Sequence, residues 1–112
     1  MRVLAAAALL LVPMTAEAAC QAIRFPPGSF GTELRGVAPS EDVLCYTLAT
    51  GEGQTARLRV LRGNNVIFAI PGITDAQDAF SFRTQRRTYE ILVGQLMRAV
   101  TPQPFLLSVS VQ

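Results

Sequence analysis

Four carboxylates raise the question of acid–base chemistry: Glu41 beside Asp42, and Asp75 shortly before Asp78. A pair of carboxyl groups is the least machinery that splits a glycosidic bond, one donating a proton while the other attacks or activates water. Both pairs follow turn-forming residues, Pro39-Ser40 in the first case and Pro71-Gly72-Ile73-Thr74 in the second. That composition belongs to solvated loops. No other catalytic set is available. The chain has no histidine, which removes the commonest general base, the commonest zinc ligand and any His-based triad. All 10 basic residues are arginine, so Schiff-base and Ser–Lys chemistry are absent too. There is no tryptophan to platform a sugar. The expectation is a non-enzymatic protein that holds no cofactor and no metal.

Two cysteines, Cys20 and Cys45, are the remaining reactive groups, and their fate depends on compartment. Arg2 opens the chain, residues 3–12 form an unbroken apolar run, Pro13 interrupts it, and Ala16-Glu17-Ala18 presents small residues at the −3 and −1 positions of a cleavage site. This is the pattern of a secretory signal, too short to remain as a membrane span. Residues 1–18 are expected to be removed, and residues 19–112 to form one domain in the periplasm or outside the cell. A lipid anchor at Cys20 is not expected, because Glu17 occupies the position where a lipoprotein signal carries an apolar residue. Two thiols in an oxidising compartment pair by default, so a structural Cys20–Cys45 disulfide is expected. No CxxC spacing suggests a redox couple.

The elements that would position these groups read as strands. Period-two alternation recurs at residues 23–25, 32–37, 44–48, 54–61, 79–82, 88–93 and 105–111. Leu44, Tyr46 and Leu48 share one face, which leaves Cys45 on the other and places the disulfide on a rim or outer surface. Ala56, Leu58 and Val60 are expected inward, with Arg57 and Arg59 toward water. Gly63-Asn64-Asn65 reads as a tight hairpin turn, since Gly and Asn tolerate positive φ. Residues 66–70, Val-Ile-Phe-Ala-Ile, are a continuous apolar run suited to burial on both faces. Residues 94–104 form a long connection in which residues 95–100 have room for one helical turn before Thr101-Pro102. Phe68, Phe80 and Phe82 are expected in the core, and Tyr46 and Tyr89 in the core or at its rim. Seven or eight short strands at such spacing give an all-β fold, a small antiparallel β-sandwich, with an up-and-down barrel as the alternative.

Charge adds little at this level. The net charge is +2, the arginines are spread along the chain, and no recognition helix is apparent, so nucleic acid is not an expected partner. Arg83, Arg86 and Arg87 read as a solvated hairpin end.

The order of motifs resembles one family. Leu34-Arg35-Gly36, Asp42 ahead of Tyr46-Thr47-Leu48, Gly53-Gln54, Val66-Ile67-Phe68 with Pro71-Gly72-Ile73, Tyr89-Glu90-Ile91-Leu92-Val93 and Gln95-Leu96-Met97-Arg98 follow one another as in the bacterial periplasmic inhibitors of g-type lysozyme (PliG). The pattern is similar, more loosely, to the pre-peptidase C-terminal domains. Both groups are small jelly-roll-like sandwiches of exported proteins. The resemblance implies a binding protein that occludes the cleft of a lytic enzyme with a protruding loop and a few polar side chains. Arg98 matches the Met-Arg of the pattern, and Asp75 matches the acidic residue after its Pro-Gly. These two are the candidate binding residues. The second likeness implies instead an accessory envelope domain that binds glycan or another exported protein.

Overall fold

A computed structural model of the chain describes residues 19–112; the signal-peptide reading falls on residues 1–18, outside them. Nine strands run in chain order: β1 (Gln21–Ala22), β2 (Gly31–Ala38), β3 (Leu44–Thr50), β4 (Thr55–Arg62), β5 (Val66–Ile70), β6 (Thr74–Gln77), β7 (Ala79–Arg83), β8 (Arg87–Gln95) and β9 (Gln103–Val111). They form a five-stranded sheet ordered β1-β3-β8-β5-β6 and a four-stranded sheet ordered β2-β9-β4-β7. The all-β sandwich is therefore what the alternation pointed to. No helix among the described residues is long and apolar enough to cross a membrane.

The inward faces follow from strand parity. Tyr46 and Leu48, Ala56 and Leu58, Phe68 and Ile70, Ile91 and Val93, and Leu107 and Val109 are buried and fill the space between the sheets. Each large aliphatic side chain so buried contributes on the order of 2 kcal/mol from removal of apolar surface. Arg57 and Arg59 are exposed, and Phe80 and Phe82 pack against the core from its margin. Tyr89 is buried, meets Phe82 edge-on with ring centroids 5.1 Å apart, and accepts a hydrogen bond on its hydroxyl from the Gln85 N–H at 3.0 Å. Gly36 is required where it stands: a Cβ there would lie 2.9 Å from the Phe105 ring.

Four local expectations need correction. The run at residues 66–70 is buried on one face only, Val66, Phe68 and Ile70 inward and Ile67 and Ala69 half-covered. Among the described residues, no third layer covers the other side of this sheet. A ninth strand, β6, occupies residues expected as a loop, and puts Asp75 on the sheet's edge. It folds back on β5 after the Pro71-Gly72 turn, where Gly72 takes φ 85°. At the N-terminus the paired residues are Gln21 and Ala22, parallel to Tyr46 and Thr47, rather than residues 23–25; Ile23 adds one further hydrogen bond, its N–H to Thr47 O at 2.9 Å. No helical turn forms after Gln95. β8 continues through Gln95 and β9 begins at Gln103, so the connection between them spans only residues 96–102. Pro104 is tolerated in β9 because it lies beyond the last β4 pairing, Arg62 with Leu106, where one side of β9 has no strand to bond.

The disulfide joins Cys20 and Cys45, whose Cα atoms are 4.6 Å apart. Cys45 faces outward from β3 and pairs in register with Leu92 of β8. The bond thus fastens the N-terminal segment to β3 at the edge of the five-stranded sheet, on the outer side that the parity of residues 44–48 assigns to Cys45. At one end of the sandwich the buried Thr84 closes the β3–β4 turn: its Oγ1 donates to Gly51 O at 2.7 Å and accepts from the Gln54 N–H at 3.1 Å.

Candidate functional site at one end of the sandwich

At the opposite end, three connections converge: residues 39–43 between β2 and β3, residues 63–65 between β4 and β5, and residues 96–102 between β8 and β9. Two amides bind them together. Gly63 at φ 141° and Asn65 at φ 64° make the turn that the Gly-Asn-Asn sequence announces. That left-handed conformation aims the Asn65 side chain at the neighbouring loop. Its Nδ2 donates to Met97 O at 2.8 Å and to Gln95 Oε1 at 3.0 Å, while its Oδ1 accepts from the Met97 N–H at 2.9 Å. Leu96 N–H closes on Asn65 O at 2.9 Å. Gln95 Nε2 donates in turn to Thr101 O at 2.9 Å and to Pro39 O and Ala38 O at 3.2 and 3.3 Å. With its carbonyl and both N–H groups engaged, the Gln95 amide holds all three connections in one arrangement.

The consequence is a fixed platform for Arg98. This residue is exposed and lines a shallow recess of about 280 Å³ with Ser40, Glu41, Asp42, Val43 and Gln95. Asp42 is committed locally, its Oδ1 accepting from the Val43 N–H at 2.7 Å. The recess is mixed, with two acids beside Arg98, and the connections at this end also expose aliphatic side chains: Leu96 is 59% exposed, Met97 65%, Val100 93% and Val43 48%. A guanidinium there pairs bidentately with an incoming carboxylate when both are desolvated.

Asp75 is not part of this end. It lies exposed on β6, at the edge of the five-stranded sheet, with β5 between it and β8. Strand spacing and rise put it roughly 15 Å from Gln95, the last residue of β8. Asp78 lies between β6 and β7, where the chain crosses from one sheet to the other, and its carbonyl accepts from the Val60 N–H at 2.8 Å. Glu41 and Asp42 line the recess beside Arg98, whereas Asp75 and Asp78 lie apart from it. Among the described residues, Cys20, Cys45 and Glu90 are the one grouping with metal-ligand spacing, and both sulfurs are consumed in the disulfide. Asn65 and Gln95 were the residues hidden from sequence reading. Gln95 belongs to the Gln-Leu-Met-Arg motif, but its bond to a residue 30 positions away has no local signature.

This architecture has solved counterparts. PliG of Aeromonas hydrophila, a periplasmic inhibitor of g-type lysozyme, superposes with a TM-score of 0.71 at 25% identity, over 83% of this chain and 96% of that one. The fold is that of the periplasmic g-type lysozyme inhibitors. The Salmonella Typhimurium inhibitor agrees in fold at a TM-score of 0.66 and 17% identity, covering 81% of this chain and 96% of its own. The pre-peptidase C-terminal domain of a Bacillus anthracis collagenase is more distant, with a TM-score of 0.54 at 10% identity over 88% of this chain and 99% of that domain. No family model matches the chain, and no curated protein does so by sequence. The inhibitor fold is thus recognisable in three dimensions where most of the side chains have changed.

Proposed function

We propose that this protein is exported, loses residues 1–18, and works in the periplasm or beyond as a binding protein that inhibits a lytic enzyme of the g-type lysozyme class. The observation that carries this reading is the likeness to the Aeromonas inhibitor over nearly all the described chain. The apolar, arginine-bearing loop end supports it from the chemistry side. In this reading residues 96–100 enter the enzyme cleft, and the Arg98 guanidinium meets a cleft carboxylate that would otherwise serve peptidoglycan. Asp75 is a second contact, reached by a partner that wraps from the loop end toward the β6 edge. The action is steric. It asks of the inhibitor only a rigid presenting end, which the Asn65–Gln95 amides supply.

The test is a turbidity assay on cell walls. The protein, purified with its disulfide intact, is mixed with g-type lysozyme at micromolar concentration. Clearing of the suspension is expected to slow in proportion to the inhibitor added; undiminished lysis overturns the proposal. The accessory-domain alternative draws on the weaker likeness to the collagenase domain. It predicts no effect on lysis and co-purification with an exported enzyme.

A further inference from the structure

The arginines that are scattered in sequence are gathered by the fold. On the four-stranded sheet, register places Arg35 and Arg62 on either side of Leu106, and Arg59 and Arg57 beside Ser108 and Ser110 of β9. Ser81 of β7 flanks Arg57 on its other side. All four guanidiniums belong to exposed residues. Parity turns Arg35, Arg57 and Arg59 to the sheet's outer face, away from the core that Leu58, Leu107 and Val109 fill, and the register shift between Val60 and Arg62 brings Arg62 to the same face. The acid sharing that outer face is Glu33, in register with Ser108. Arg83 of β7, exposed and in register with Thr55, adds a fifth cation to this face; five arginines against one glutamate is a strong local excess on a chain of net charge +2.

We infer that this outer face binds an anionic glycan, a polysaccharide bearing carboxylate, phosphate or sulfate groups along its length. Arg57 and Arg59 are two residues apart on one strand, so they repeat at about 7 Å, and Arg35 and Arg62 bracket one strand at about 10 Å. An extended polymer with regularly placed anions meets such an array with paired hydrogen bonds. The hydroxyls of Ser81, Ser108 and Ser110 stand between the cations and suit sugar hydroxyls, since each donates one bond and accepts others. Between Arg35 and Arg62 a recess of about 670 Å³ opens, floored by Val37, Pro104 and Leu106. Its size is that of a small-molecule site, and its apolar floor suits the C–H face of a sugar ring. A lipid surface fits less well. The outward positions of these four strands carry no aromatic residue and the chain has neither tryptophan nor lysine, the residues that anchor proteins at membrane interfaces. Single-stranded nucleic acid would look for the same missing aromatics. This face adjoins the loop end at Gly63 and Asn64 but does not include Arg98, and its cations are not used in the proposed contact with a lysozyme.

The test measures binding of the purified protein, disulfide intact, to heparin and to polygalacturonate, over a range of salt concentrations. Vesicles of phosphatidylglycerol and duplex DNA serve as competing polyanions. The expected result is tighter binding to at least one glycan than to vesicles or DNA, falling with salt. The triple variant Arg57→Ser/Arg59→Ser/Arg62→Ser is expected to lose at least tenfold in affinity and to flatten the salt slope by roughly one per contact removed. A charge-matched control, Arg24→Ser/Arg86→Ser/Arg87→Ser, is expected to stay within about threefold of the wild type. All these side chains are exposed, and thermal unfolding checks that each variant keeps the fold. The inference is overturned if neither glycan binds, if both variants lose affinity equally, or if vesicles or DNA bind more tightly than either glycan.

Discussion

Arg98 is the residue on which a protein partner would discriminate most sharply. It stands exposed in a recess with Glu41, Asp42 and the half-uncovered Val43. If it becomes a desolvated contact, Arg98→Ala weakens the lysozyme complex by about 1–3 kcal/mol, measured as a rise in the inhibition constant with the melting temperature unchanged. Asn65 acts one step back, by holding the loop that presents Arg98. Asn65→Gly keeps the positive φ but removes three side-chain bonds. It is expected to weaken inhibition several-fold through loss of order in residues 96–100, and faster amide exchange at Met97 is the separate readout that a purely global effect would not give. Tyr46 has a different role. It is 6% exposed, and burial raises its hydroxyl pKa above the ordinary tyrosine value. The folded state therefore favours the neutral phenol. Its contribution is whole below about pH 10, the unfolded value, and is lost as pH rises through the higher folded value. Tyr46→Phe is expected to flatten the fall in stability above pH 10 in denaturant titrations. Arg98 was visible in the sequence through the Met-Arg motif. The Asn65–Gln95 bond was not, because nothing local distinguishes a turn asparagine that reaches across a sheet from one that faces water.

At the scale of elements, period-two patterning was enough to locate β2, β3, β4, β7, β8 and β9, and to orient them. Arg57 and Arg59 face water while Ala56 and Leu58 are buried, because residues of opposite polarity sit at adjacent positions. Patterning failed where polarity did not alternate. β6 reads Thr-Asp-Ala-Gln, with no apolar face, and becomes a strand only because β5 offers it an open edge. β5 itself is apolar at every position, so the sequence held no sign of which face stays half-covered. β1 has two paired residues and is held by the bond from Cys20 to Cys45 more than by its ladder. In the chain-entropy account, a crosslink spanning 25 residues stabilises by about 3.5 kcal/mol. The Cys20→Ser/Cys45→Ser variant should lose most of that in denaturant unfolding. Amide exchange should rise first in β1 and in the Ile23 N–H bonded to Thr47 O, the positions that the crosslink alone secures.

At the scale of the whole molecule the two proposed surfaces differ in make-up. One end gathers three connections beside the recess that holds Arg98, and one sheet face gathers Arg35, Arg57, Arg59 and Arg62. Histidine and lysine are absent from the chain, and the carboxylate pairs lie on loops and an edge strand. The inhibitor fold persists at 25% identity because inward positions need only apolar side chains of suitable volume, while exposed loops are free to change. The account rests on the loop end filling an enzyme cleft. The most direct measurement is titration calorimetry of the protein into g-type lysozyme, with and without a chito-oligosaccharide occupying that cleft. A 1:1 complex that weakens as the sugar concentration rises is the predicted result. Absence of binding heat, or an affinity indifferent to the sugar, contradicts it.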